Sequence, residues 1–308
     1  MSYLDDMEAA IRRAGLDRAV AIGDTPPIFD WFLTAFSFQG ISNSVAQGYL
    51  ERNGSASWLE IVANLRDAPS CPKLRSYWQY AGCKYDKTSC SCAQPEHIDS
   101  CPVPRPRLRN GRLNQVAISF FLFVRDLADS DFVGWIDRQL AGAQGASRAE
   151  LEAARQEALI GPLRNVFGVS DKVLTMTLST LLIGARNQRP IWFETGKAMI
   201  AVDTLVHNFL HRTGILQSCG IPHTYGAACY SRGGCAEIIR AVSNRIDART
   251  LNRAFPQTFP RFVQNAIWRF CAADGQNLCN GNRIDDRQAC QISYCQLYQK
   301  CRRMPLKR

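Results

Sequence analysis

The sequence predicts an all-α fold, and three observations carry the prediction. Apolar residues recur at helical spacing along nearly the whole 308-residue chain. No long stretch alternates polar and apolar residues as a half-buried strand does. Residues suited to cap a helix, such as Ser147 and Asp203, stand where apolar-periodic runs begin. Hydrophobic content is 46% and charged content 21%, which suits a globular chain with a real core and excludes a disordered one.

The elements follow in order. Residues Cys71 to Asn110 hold five cysteines, several prolines and the basic run Arg105-Pro106-Arg107-Leu108-Arg109, and read as an irregular insertion. In Leu113 to Leu127 the apolar positions Leu113, Val116, Ala117, Phe120, Phe121, Val124 and Leu127 make one broad helix face. Ala141 to Ser147 reads as a flexible link ending in an N-cap for a helix from Arg148. Val166 to Lys172 reads as a turn between two helices, the second of which, through Leu174 to Ile183, is almost wholly apolar. Arg186 to Lys197, with Arg189, Trp192 and Phe193, reads as a surface loop or the lining of a pocket. Asp203 opens another helix, and Cys219 to Gly234 is a glycine-rich loop.

The formal net charge of +10 favours an anionic partner, of which nucleic acid is the commonest. The start of the chain is acidic and lacks an apolar signal region, and no run of about 18 apolar residues exists, so neither secretion nor a membrane span is expected. The expected place is the cytoplasm, associated with the nucleoid. In a reducing compartment the 13 cysteines, an odd number, are metal ligands or buried thiols rather than disulfides.

Candidate chemistry starts with Lys172. A glycine, Gly168, permits the tight turn before it, and amides at such a turn can hold a phosphate. Apolar neighbours on the helix would lower the lysine pKa and make it a nucleophile; a surface lysine is the plainer reading. Asp203 is either an N-cap or a carboxylate that stabilises a developing positive charge. His207 and His211 stand at i and i+4, a spacing that can bind metal, although a helix-face histidine or a phosphate contact accounts for it more simply. Cys279, Cys290, Cys295 and Cys301 are spaced C-x10-C-x4-C-x5-C, and four thiolates suit an iron–sulfur cluster or zinc. A second metal site, zinc or iron–sulfur, has two candidate sources. One is Cys71, Cys83, Cys90, Cys92 and Cys101 with His97 nearby; the other is Cys219, His223, Cys229 and Cys235. Reduced cysteines acting as small apolar residues are the alternative for both.

Three segments resemble the helix-hairpin-helix DNA glycosylases, most of all the branch similar to endonuclease III with a C-terminal iron–sulfur loop. Phe36-Ser37-Phe38-Gln39-Gly40-Ile41-Ser42 is similar to the family's Leu-Ser-x-Gln-x-x-Asp stretch. Phe167-Gly168-Val169-Ser170-Asp171-Lys172 is similar to Pro-Gly-Val-Gly-x-Lys, followed by Val202-Asp203-Thr204 and His211-Arg212-Thr213-Gly214. Asp274-Gly275-Gln276-Asn277-Leu278-Cys279 is similar to the opening of the family's cluster loop, whose last gap is the same as here and whose first two are shorter.

The resemblance implies a two-lobed helical glycosylase that flips a damaged or modified base from duplex DNA, by default an altered pyrimidine. It implies Lys172 as nucleophile with lyase activity and Asp203 as the assisting carboxylate. Gln39 becomes the wedge in the vacated duplex, and Gly168, Ser170, Thr204 and Arg212 become DNA contacts. A 4Fe–4S cluster would sit on Cys279, Cys290, Cys295 and Cys301. The expected lobes are residues 30–198, with the insertion 71–110 and the hairpin at about 160–184, and residues 1–29 with 199–308. Two departures stand out: Ser170 replaces the second hairpin glycine, and Asp171 puts a carboxylate beside a phosphate site. Alternatives are the same scaffold acting on hypermodified, phage-type bases in defence or DNA modification, and a non-catalytic binder of DNA structure. No oligomer is implied.

Overall fold

The computed structural model describes residues 2–37, 43–53, 56–65, 69–80, 83, 92, 94–97, 101 and 112–306. Among these every regular element is helical. The α-helices are α1 (Tyr3–Arg13), α2 (Leu16–Ile22), α3 (Thr25–Ser37), α4 (Asn43–Asn53), α5 (Trp58–Asn64), α6 (Tyr77–Tyr80), α7 (Arg112–Leu127) and α8 (Phe132–Gly142). They continue as α9 (Arg148–Leu163), α10 (Asp171–Gly184), α11 (Pro190–Gly196), α12 (Thr204–Thr213), α13 (Ile215–Cys219), α14 (Cys235–Ser243) and α15 (Pro260–Cys271). Among the described residues no helix is long and apolar enough to cross a membrane.

The chain divides into two compact units, Asp5–Thr195 and Met1–Leu4 with Gly196–Arg308. The split expected from sequence put residues 1–29 with 199–308. Residues 5–29 instead belong with the first unit. The side chains give the reason: Glu8 pairs with Arg186 and accepts from Asn187 Nδ2 at 3.2 Å, and Ile11 packs so closely on Gly184 that a Cβ there would meet it at 2.7 Å.

In the first unit, Phe29, Phe32 and Phe36 are spaced three and four apart and so share one face of α3. That face meets Phe120 of α7, with ring centroids at 5.0, 5.6 and 5.4 Å, and Phe132 of α8 joins at 5.5 Å. All five rings are fully buried. Each such pair adds about 0.5–1.5 kcal/mol to its area burial. The starts of α8 and α9 carry side-chain caps, that of α9 at the Ser147 the sequence names. Ser147 and Glu150 form a reciprocal capping box on α9, and Asp131 accepts from Gly134 N at 2.8 Å on α8.

Residues 186–197, expected as a surface loop or pocket lining, are so only at their start, where 186–188 form a turn whose Asn187 and Gln188 line a small pocket with Glu8 and Asp17. Most of the segment is α11, whose Trp192 is buried and donates Nε1–H to Asp137 of α8 at 2.6 Å. Arg189 pairs with the same carboxylate at 3.3 Å. The aromatic and basic residues are thus consumed by packing.

In the second unit α12 is central, with α13, α14 and α15 around it. Its core joins Val202, Val206, Leu210, Leu216, Ile238 and Ile239 to three buried cysteines, Cys229, Cys235 and Cys271. Beyond Cys271 the described chain forms turns without a regular helix.

Candidate metal centre and hairpin site

The hairpin appears where the sequence places it. α9 ends at Leu163 and α10 begins at Asp171. Gly168 turns the chain at φ +70°, a region open to glycine at little cost, and Phe167 N donates to Ser119 Oγ of α7 at 2.9 Å. Ser170 occupies the N-cap position with extended backbone and no side-chain cap bond. Asp171 is bound by Arg164 at 2.9 Å, and Arg164 also bonds Glu157 at 2.6 Å. These carboxylates, Glu157 first, hold the Arg164 guanidinium firmly protonated. The hairpin carboxylate that looked unfavourable for phosphate is therefore already paired. Lys172 is the second residue of α10 and half-buried. It belongs to the first unit and Asp203 to the second. Gln39 and the basic run 105–109 lie outside the described residues.

Asp203 caps α12, accepting from Val206 N at 2.9 Å, and is 9% exposed. The preceding Val202 is held at both backbone groups by the Tyr230 hydroxyl, at 3.0 Å from N and 3.4 Å from O. Burial, then the charge of Asp203, pushes the Tyr225 phenol up. Thr204 is exposed at the first turn of α12. Arg212 is buried, 2% exposed, and its guanidinium pairs with Asp286. Its charge acts on Cys279 of the cysteine loop.

The C-terminal loop closes on the end of α12. Arg302 N donates to Thr213 O at 3.3 Å and Met304 N to Arg212 O at 2.9 Å. Gly214, at φ +81°, lets Arg302 cross so closely that a Cβ would lie 2.2 Å from its Cδ. Cys301 Sγ lies 3.5 Å from Arg212 O. Burial raises the Cys301 thiol, and Cys279, Cys290 and Cys295 lie close enough to raise it further. Cys271 is fully buried and donates to Cys279. That bond lowers the Cys279 thiol, which the Arg212 charge lowers further, and raises Cys271. Arg212 Nη1 is buried without a hydrogen-bond partner. A buried donor beside gathered thiols suits an anionic, thiolate-held group.

A tighter set lies on α12, α14 and the loop between α13 and α14. The ligand atoms of His207, His223, Cys229 and Cys235 all lie within 4.8 Å of one another, and could hold a metal ion. His207 Nδ1 is 3.4 Å from Cys235 Sγ and 3.5 Å from Cys229 Sγ, and His223 Nε2 is 3.5 Å from Cys235 Sγ. His223 Nδ1 lies 2.6 Å from Ile221 O. A carbonyl only accepts, so Nδ1 carries the proton and Nε2 keeps its lone pair for a ligand. Cys229 and Cys235 share a proton: the bond donated by Cys235, then that from His207, lowers Cys229, and Cys235 is raised in turn.

The expected quartet named Cys219 instead of His207. Cys219 is exposed at the end of α13 and takes no part. His207 was visible only as half of an i, i+4 histidine pair; its partners arrive from the loop and α14. Among the described residues the cysteines of 71–101 form no comparable set. Cys71 is buried with its Sγ 3.0 Å from Gln94 Oε1, while Cys83 and Cys101 lie near the buried hydroxyl of Tyr80. Cys90 is outside the described residues. Comparisons with models of known protein families, with curated proteins and with solved structures return no match.

Proposed function

We propose that the protein is a DNA glycosylase of the helix-hairpin-helix kind, excising a damaged or modified base with Lys172 as nucleophile and Asp203 in support. The observation that carries the reading is Lys172 itself, half-buried at the start of α10 and directly past a glycine-turned hairpin. The net charge of +10 fits a duplex partner.

In this reading the target nucleotide is extruded from the stack. The neutral Lys172 amine attacks the sugar C1′, the bond from C1′ to the base breaks, and the base leaves with its electron pair and takes up a proton. The amine sheds its protons as the ring opens to an imine. Loss of a proton from C2′ then expels the 3′ phosphate by β-elimination, and water hydrolyses the imine to free the lysine. The Asp203 carboxylate stabilises positive charge on the sugar.

Cys279, Cys290, Cys295 and Cys301 would hold a 4Fe–4S cluster. They interact with one another, yet among the described residues only the His207 set is tight enough for a single ion. Four thiolates in one loop suit such a cluster. When bound, such a cluster would supply cross-linking of a loop that forms no regular helix of its own. Arg283, Arg287 and Lys300, exposed within the loop, would face phosphate. The same scaffold acting on a hypermodified base is the alternative, favoured by the departures at Ser170 and Asp171.

The test is borohydride trapping on duplex DNA with an abasic site. Wild type is expected to give a covalent complex that Lys172→Ala abolishes. Intact DNA binding with neither a trapped complex nor base removal would leave only a non-catalytic binder.

A further inference from the structure

We infer that His207, His223, Cys229 and Cys235 hold one zinc ion, as a closed structural centre independent of the cysteine loop and of any glycosylase chemistry. The geometry argues for a single ion. Tetrahedral zinc with Zn–S of about 2.3 Å and Zn–N of about 2.0 Å sets S···N edges of about 3.5 Å. Three of the four S···N distances here are 3.4, 3.5 and 3.5 Å, and all four ligand atoms lie within 4.8 Å of one another. A two-iron cluster with histidine ligands puts the two thiolates on one iron and the two imidazoles on the other, which separates the pairs. Here His207 Nδ1 contacts both thiols.

The chemistry of the donor set argues for zinc. Two thiolates and two imidazoles in tetrahedral arrangement suit it, and four protein ligands leave no position open for substrate. Cys229 and Cys235 are fully buried and His207 is 5% exposed, so the polar atoms converge where water is excluded. The His223 tautomer is already set by Ile221 O, the outer contact that zinc-bound imidazoles usually make.

The ion would do what the loop cannot do for itself. Between α13 and α14 the chain carries glycines at 220, 226, 233 and 234, two of them at positive φ, and few apolar side chains. One ion on His207 of α12, His223 and Cys229 of the loop and Cys235 of α14 ties three segments at one point. It thereby also fixes Tyr230, whose hydroxyl holds the backbone of Val202 next to Asp203.

The experiment is metal analysis of the purified full chain and of its variants, with cobalt as optical probe. Wild type is expected to carry one zinc equivalent that Cys229→Ser and His223→Ala each lose, and that Cys219→Ser keeps. Cobalt in its place should give intense tetrahedral ligand-field bands. Should Cys229→Ser fail to fold, His223→Cys serves: it keeps the ion and strengthens the thiolate-to-cobalt absorption. Zinc content unchanged by the ligand substitutions overturns the inference. So does iron in that equivalent, or absence of both zinc and the cobalt bands. None of these readouts depends on activity toward DNA.

Discussion

The unit of residues 5–195 stacks Phe29, Phe32, Phe36, Phe120 and Phe132 into one buried layer, whereas the unit of 196–308 brings Cys229, Cys235 and Cys271 to its centre among aliphatic side chains. In the first, large rings on helix faces bury enough apolar surface to hold long helices together. In the second, the helices are shorter and the chain from 272 to 306 has no regular helix at all. In that unit thiols and an imidazole gather within the core itself, Cys229 and Cys235 beside His207. Coordination and packing are alternative ways to close a core, and the two units differ in whether residues that could coordinate a metal lie within it.

The comparison is broken most directly by chelation. Removing zinc should release the loop 220–234 and destabilise α12 and α14, a loss on the order of 10 kcal/mol by analogy with small zinc domains. Hydrogen exchange should then rise across 204–243 while α7 and α10 keep their protection. Uniform exchange in both units would show that they do not differ in this way. Phe120→Ala is the converse probe: about 3–5 kcal/mol should be lost, read as an earlier denaturant midpoint, with zinc content unchanged. Ser147→Ala removes half of a capping box and should cost about 1 kcal/mol in the same assay, without touching the second unit. The smallest effect belongs to Cys219→Ser. This thiol is exposed and outside the ligand set, so both metal content and unfolding midpoint should match wild type.

Much of the local structure was legible in the sequence. The helices at 112–127 and 171–184, the hairpin at Gly168 and the caps at Ser147 and Asp203 all follow from short-range patterns. What misled was the use of long-range features. Trp192 and Arg189 looked like pocket residues because aromatic and basic side chains in an apparent insertion suit a ligand; Asp137, more than fifty residues earlier in the chain, claims both. Arg212, expected as a DNA contact, is buried and pairs with Asp286.

The sequence alone determined that the chain is helical, where its helices begin and which cysteines are near one another along it. Backbone hydrogen bonds, caps and glycine turns act over a few residues, so residue order is enough to specify them. Only the tertiary structure decided that His207 replaces Cys219 as a candidate ligand, that Cys271 approaches Cys279 and that residues 5–29 pack with α10. A ligand set is defined by distances of a few ångströms between side chains on different helices. Those distances are set by how α12 and α14 pack, which no spacing along the chain encodes.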